Sequence, residues 1–304
     1  MTKTHQVLYF ITLDASLRLA QHRPYNQRII PARRNPMSLQ QSLIVLTLAV
    51  LALEIIKGRH RNVYRKEDFI ITAGAFLLGR SLIAPILAIA MAAGFSKLMP
   101  ALKGSLSDAP IWAATLSLLL IGEFLFYWVH RAAHNPRKHP HLFNMHATHH
   151  SARFLNLSVM SRYNVFWPIV QPYTWVASLG FYLGMTEAAT LFFVSIMIWN
   201  TLTHTNFRWD DTISKHLPFG PKLVQAAEWV FITPKLHHTH HGYGKNGKAY
   251  RNFCTIFSFY DRLFGTLYIP DGRPQHYGIM GKNIDNTHWL EQLLYPLYKS
   301  HKQK

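Results

Sequence analysis

The sequence predicts an all-α membrane protein: about four to five transmembrane helices that carry a histidine-rich helical cap on their cytoplasmic side. Three observations lead there. Apolar residues gather in long runs nearly free of charge, basic residues sit beside those runs, and histidines cluster near the runs' ends.

A helix that crosses a bilayer needs about 20 largely apolar residues. Residues 38–56 supply the first run, 69–96 a second interrupted by Arg80, and 109–129 a third with Glu123 near its end. Between 163 and 207 the only charge is Glu187, so that stretch reads as two spans in a tight hairpin with its polar apex at 184–187. Several uncharged runs of this length exceed what a soluble core needs. The division that follows is an N-terminal segment, 1–37, and one membrane-embedded domain, 38–304. The cap is assigned to 130–162 and 204–270. The tail from 205 is mixed in composition, with Gly, Pro and aromatics throughout, and reads as helices and loops.

The formal net charge is +18, which on a soluble protein points to nucleic acid. Here the basic residues flank apolar runs, as in "KGRHRNVYRK" at 57–66, so anionic lipid headgroups are the expected partner and nucleic acid is not. The same bias makes 57–66 and 130–162 cytoplasmic, and the hairpin returns the chain after 207 to that side. The protein is thus expected in a bacterial inner membrane or an ER-type membrane. Residues 23–34 are basic as well, which conflicts with five crossings. Either the first run is not a full crossing or the bias fails there. The start of the chain lacks the clean apolar core of a cleavable signal peptide. The single cysteine, Cys254, excludes an internal disulfide framework and any multi-cysteine metal site.

Four histidine groups stand out. "YWVHRAAH" contains His130 and His134, "HATHHS" contains His146, His149 and His150, "NTLTHTNF" contains His204, and "LHHTHHG" contains His237, His240 and His241. Residues three and four apart share a helix face, so each cluster directs its imidazoles to one place. Neutral imidazole binds zinc, copper, iron and nickel, and nine ligands are too many for one ion, so two metals are expected. His130 follows the third run and His204 closes the last, which puts the convergence just beneath the bilayer surface. His238 falls on the wrong side of its helix. His5, His22, His60, His139, His141, His216, His276, His288 and His301 are isolated and read as ordinary histidines.

In order and spacing these boxes resemble the fatty acid hydroxylase and sterol desaturase superfamily of integral-membrane di-iron enzymes. The flanking "GEFLFYWVHRAAH", "HHSARFLNLS", "TPKLHH" and "YDRLFGTLYIP" carry the resemblance further, over about 45 to 270. It implies two iron ions held by the nine histidines, with zinc as a substitute on purification, and oxygen-dependent hydroxylation or desaturation of a membrane lipid of fatty acyl, sterol or ether type. It also implies an external electron donor (a reductase, ferredoxin or cytochrome), since the chain has no Rossmann glycine pattern. Some positions depart from the family pattern: Glu123 stands where Asp is common, Asn164 ends an Arg-x-His, Tyr260 replaces a Trp, and Asn200 replaces a histidine found in some relatives. They leave the substrate open.

A carotenoid-type hydroxylase of the same superfamily and a non-catalytic histidine-rich metal-binding membrane protein are the alternatives. A metal transporter would put its ligands within the spans. A membrane metalloprotease would need HExxH, which is absent. A bis-histidine haem protein needs fewer axial ligands than these clusters offer. Glu123 is expected either to orient an imidazole or to pair with Arg80. Asn156 and Arg162 could hold the site or a headgroup, or be surface residues of a basic link. Asp261 reads as a structural cap, and Trp167, Tyr173, Trp175 and Trp199 as interface anchors.

Overall fold

A computed structural model describes residues 39–57, 63–280 and 287–300. The segment 1–37, and with it the side of the membrane expected for the N-terminus, half of the basic link 57–66, and His5, His22, His60 and His301 lie outside the described residues. The chain divides into two units, 1–45 and 46–304. Of the first, only 39–45 is described, as the opening turns of helix α1 (Leu39–Lys57).

In the second unit the apolar runs fold as helices. The run α2 (Lys66–Leu98) is 33 residues long and α3 (Ile111–Ala133) is 23, and among the described residues these two are long and apolar enough to cross a membrane. α2 starts where Asp68 accepts a hydrogen bond from the Arg65 amide at 3.1 Å. Its middle, Ala75–Ile83, is wound as a π-helix, a form that is rare at this length. After α3 come α4 (Pro140–His150), the short α5 (Leu157–Met160) and α6 (Trp167–Val170), then α7 (Pro172–Tyr182) and α8 (Thr186–His204). The hairpin turn falls at 183–185, close to its predicted apex, with Gly184 at φ 92° where a side chain would be strained. The first arm of the hairpin is shorter than expected. Pro168 and Pro172 restart the chain, so α7 has 11 residues, about half a bilayer core.

α3, α7 and α8 pack together around Leu118, Phe126, Tyr173, Val176, Phe192 and Ile196. Gly122 permits the close approach of α3 and α8: a Cβ there would lie 2.8 Å from the Phe192 ring. The remainder is α9 (Trp209–His216), α10 (Gly220–Glu228), α11 (Pro234–His240), α12 (Ser258–Leu263) and α13 (Trp289–Leu294). A two-residue antiparallel pair, β1 (Gly242–Tyr243) and β2 (His276–Tyr277), joins Gly242 to Tyr277 and Tyr243 to His276.

Buried carboxylates tie these elements to one another. Glu54 of α1 accepts from the Leu157 amide (2.9 Å), the Thr205 hydroxyl (2.8 Å) and the Asn206 amide. Glu123 of α3 accepts from the amides of Thr255, Ile256 and Phe257 at 3.2, 2.9 and 3.1 Å, and from the Tyr173 hydroxyl. Both sequence expectations for Glu123 are therefore corrected: it touches no imidazole and does not pair with Arg80. Three amides converging on one carboxylate outcompete a single distant guanidinium. Asp261 is the structural cap expected, accepting from the Phe253 and Cys254 amides at 2.8 and 2.9 Å. Trp167 and Tyr173 are buried in the core, not placed as interface anchors. Trp175 is exposed, and Trp199 donates to the Ile232 carbonyl at 2.9 Å.

Removing the Glu123 carboxylate strands four donors. Glu123→Ala is expected to cost on the order of 3 kcal/mol, and Glu123→Gln less because its carbonyl oxygen still accepts. Thermal unfolding in detergent measures both, and an unchanged midpoint for Glu123→Ala would contradict this role.

Candidate metal centre

Four helices deliver the clustered histidines. His130 lies in the last turn of α3 and His134 caps it. α4 begins with Pro140 at its first turn and ends on its histidines. α11 starts from Thr233, whose hydroxyl accepts from the Leu236 amide at 3.4 Å, with Pro234 next, the usual pairing of cap and first-turn proline. His204 ends α8.

The nine predicted residues come together as two groups. His130, His134, His146, His150 and His240 form one, and His149, His204, His237 and His241 the other. Within each group the candidate ligand atoms all lie within 4.8 Å of one another. Each HxxHH cluster was expected to aim at one place; instead each straddles both groups. The reason is helical. At 100° per residue, i and i+4 lie 40° apart while i+3 lies about 100° from i+4. In α4, His146 and His150 serve the first group and His149 the second. α11 does the reverse, with His237 and His241 in the second group and His240 in the first.

Backbone carbonyls hold the outer edges of the rings. His130 Nδ1 lies 2.5 Å from Phe253 O, His149 Nδ1 3.0 Å from Val159 O and 3.3 Å from Arg162 O, His204 Nδ1 2.9 Å from Asn200 O, and His240 Nδ1 2.8 Å from Arg251 O. A carbonyl only accepts, so each Nδ1 carries the proton and each Nε2 presents a bare lone pair. Where both rings are fixed in this way, bare Nε2 atoms face each other, His240 to His130 at 3.1 Å and His204 to His149 at 3.4 Å; His146 Nε2 lies 2.8 Å from that of His130 and 2.9 Å from that of His150, and His237 Nε2 3.1 Å from that of His204. The Nε2 atoms of His134 and His241 are buried and have no hydrogen-bond partner. Bare lone pairs facing each other in a dry interior repel unless a cation stands among them. The donor set fits metal ions.

Burial pushes the cap imidazoles down. His134, His146, His150, His237, His240 and His241 fall well below the ordinary 6.5, first through loss of water and then through repulsion between neighbouring rings. His149 falls to about 4 for the same first reason, partly offset by its two carbonyls. All are neutral at neutral pH, the form that binds metal.

Two residues with two sequence readings each, and one read as an interface anchor, complete the site. Arg162 is buried, not on a surface link. Its guanidinium bonds Asp68 (3.2 Å), the Thr148 carbonyl, Ser151 (2.6 Å) and Gln292 (3.1 Å), while its own carbonyl faces His149. Asn156 caps α5 through the Ser158 amide (2.9 Å) and reaches the Tyr64 hydroxyl (2.9 Å). Trp167 stacks on His146 at 4.6 Å and 29°. The carbonyls of Phe253 and Arg251 have no side-chain signal in sequence and could not have been found there. His238 is buried but outside both groups, with Nδ1 3.2 Å from the Tyr277 hydroxyl. His139, His141, His216, His276 and His288 are also outside them.

The depressed imidazoles set a pH dependence for the metal-free protein. Below pH 6.5 the unfolded chain binds protons that the folded chain refuses, so stability present above 6.5 is lost as pH falls toward 4. Each histidine removes up to about 1.4 kcal/mol per pH unit. Melting temperatures of metal-free protein should be level above pH 7 and fall steeply between 6 and 5. A flat profile through that window would contradict neutral burial.

Known proteins share this region. An alkylglycerol monooxygenase of Xenopus tropicalis is 28% identical over 173 residues, covering 57% of this chain and 34% of its own. The very-long-chain aldehyde decarbonylase GL1-7 of Oryza sativa subsp. japonica is 24% identical over 180 residues, covering 52% of this chain and 24% of its own. Protein CER1-like 2 of Arabidopsis thaliana is 28% identical over 174 residues, covering 53% and 25%. The chain thus matches about a quarter to a third of these relatives' lengths. No solved structure matches. The fatty acid hydroxylase family model matches 115–266, half of the chain, from the first turn of α3 to beyond α12. All nine clustered histidines fall within that match, and the chain belongs to the fatty acid hydroxylase family.

Proposed function

We propose that this chain is an integral-membrane, oxygen-dependent oxidoreductase that hydroxylates or desaturates a membrane lipid at two iron ions. One observation carries the reading: two groups of close-set imidazoles, in which backbone carbonyls turn the protons of His130, His149, His204 and His240 outward and leave their Nε2 atoms bare toward the other rings. His130, His134, His146, His150 and His240 would hold one ion. His149, His204, His237 and His241 would hold the other. Irons bound there supply dioxygen activation and attack on an unactivated C–H bond.

The chain's own residues set the conditions for that chemistry. Burial of the imidazoles keeps water from the site, and the carbonyls of Phe253, Val159, Asn200 and Arg251 fix ring orientation and tautomer. Trp167 braces His146 from behind. No side chain placed here supplies electrons, so a separate reductase, ferredoxin or cytochrome is the expected donor. The relatives are named for an alkylglycerol and for very-long-chain aldehydes, which supports a long-chain lipid as the substrate class. α2 and α3 are read as spans, with the hairpin of α7 and α8 embedded beside them. His130 and His204 sit at helix ends, so the substrate reaches the metals sideways from the bilayer.

Purified protein should carry about two metal ions per chain, because nine imidazoles exceed one ion's coordination. His149→Ala and His240→Ala should each reduce that count toward one and abolish oxygen-dependent turnover of a long-chain lipid, whereas His276→Ala should do neither. Elemental analysis and single-turnover assays with an added donor measure this. Equal loss in all three folded variants, or one ion or fewer in iron-replete wild type, would sink the di-iron reading.

The topology gives a separate expectation. Cysteines introduced at exposed positions in 130–162 and 208–280, on a Cys254→Ser background, should react with an impermeant thiol reagent only from the cytoplasmic side. Labelling from outside would break the proposed sidedness.

A further inference from the structure

Arg80 has lost the partner the sequence offered it. It lies in the π-helical stretch of α2, half-buried, with Nη2 3.2 Å from Met197 Sδ and its guanidinium 5.6 Å from the Phe193 ring centroid. A thioether is a weak acceptor, and a ring face attracts a cation without neutralising it. Glu123 is occupied by Tyr173 and three amides. Among the described residues no carboxylate pairs with Arg80. A guanidinium has five N–H donors, and most of these have no acceptor here. An arginine within an apolar span marks a ligand path unless something pairs it, and a π-helical segment re-aims the side chains it carries.

The surroundings say what would meet it. Met197, Asn200, Thr201 and His204 fall at i, i+3, i+4 and i+7 on α8 and share one face. Met197 is seven residues before His204, about 10 Å of helix rise. Thr201 Oγ1 reaches Met160 Sδ at 3.8 Å, and the Tyr163 ring presses on the Gly79 backbone, where a Cβ would lie 3.0 Å away. A half-buried, partly polar strip therefore runs from Arg80 along α8 toward the second histidine group.

We propose that Arg80 is the receptor for the oxyanion of a lipid, a carboxylate or phosphate, whose apolar chain lies along α8. A planar fork of donors suits either group, and binds both oxygens of one at once. The proposal rests on the membrane-lipid reading above and narrows it, because the relatives' named compounds, an alkylglycerol and aldehydes, are uncharged at that end. Binding needs no turnover, so the two readings fail separately. Arg80-dependent binding without turnover leaves this site standing, and turnover without such binding removes it alone.

The test uses the full purified chain in neutral detergent, with binding of oleate, 1-oleoyl-lysophosphatidate and oleyl alcohol followed by native mass spectrometry. Wild type should bind at least one of the two anionic lipids about tenfold more tightly than the alcohol; the tighter of the pair identifies the headgroup. Arg80→Gln should abolish that preference while melting, without lipid, no lower than wild type, since it removes an unpaired charge. Arg80→Lys keeps the charge but not the fork, and should lose preference by about threefold or more; it carries the test if Arg80→Gln does not fold. A preference unchanged in these variants would overturn the proposal. So would equal binding of all three lipids to wild type, or displacement of oleate by acetate or inorganic phosphate at similar concentration.

Discussion

Nine imidazoles have been brought face to face, eight of them buried, and four are held so that their Nε2 lone pairs point bare at the others. A buried polar atom left unsatisfied costs about 1–3 kcal/mol, and protonating these rings would add a crowd of like charges. Four outer nitrogens are answered by main-chain carbonyls, and the bare inner ones call for a cation. Much of the fold is organised to supply those acceptors, and it does so with main chain. A carbonyl cannot be protonated, cannot change rotamer and moves only when its segment moves.

Those segments are fastened in turn. Phe253 O is set by Asp261 and Glu123, which together gather the amides of residues 253 to 257. Asn252 beside it takes a left-handed conformation and bonds the Leu236 and Tyr268 carbonyls. The Val159 carbonyl accepts from the Arg162 amide, and the Arg162 side chain anchors that segment, its guanidinium charged although burial draws it down to about 10. Through Asp68, Thr148 and Gln292 it joins α2, α4 and α13. Ligand, carbonyl and carboxylate thus form three successive layers, and the outermost layer spans most of the chain.

Sequence carried the inner layer well, because helical period and imidazole chemistry are local properties. Three spaced clusters and one histidine at the end of an apolar run were enough to choose the nine residues that meet. How they divide between two groups was not readable from the clusters alone, since i+3 and i+4 look alike on one helix until a second helix stands opposite. The outer layers were nearly invisible. Glu123 had two sensible partners by position, Arg80 and the histidines, and took neither, because three backbone amides from 132 to 134 residues away arrived to claim it. Arg162 could be read either as part of the site or as a surface residue of a basic link, and only its neighbours in space, a ring of acceptors, decide between them. Helix length was mis-read where prolines restart the hairpin.

The contact between His130 and the Phe253 carbonyl has a consequence for how the protein is made. The ligand leaves the ribosome 123 residues before the group that fixes its tautomer, and His240 and His241 follow His130 by more than a hundred. Until residues 240 to 253 have emerged, His130 has neither its carbonyl nor its facing ring of His240. In a nascent chain His130 is therefore an ordinary, exchangeable imidazole. The enclosed centre comes into being only when the last third of the chain docks. On the proposed function, metal selection would then be an event of late assembly, held afterwards by burial.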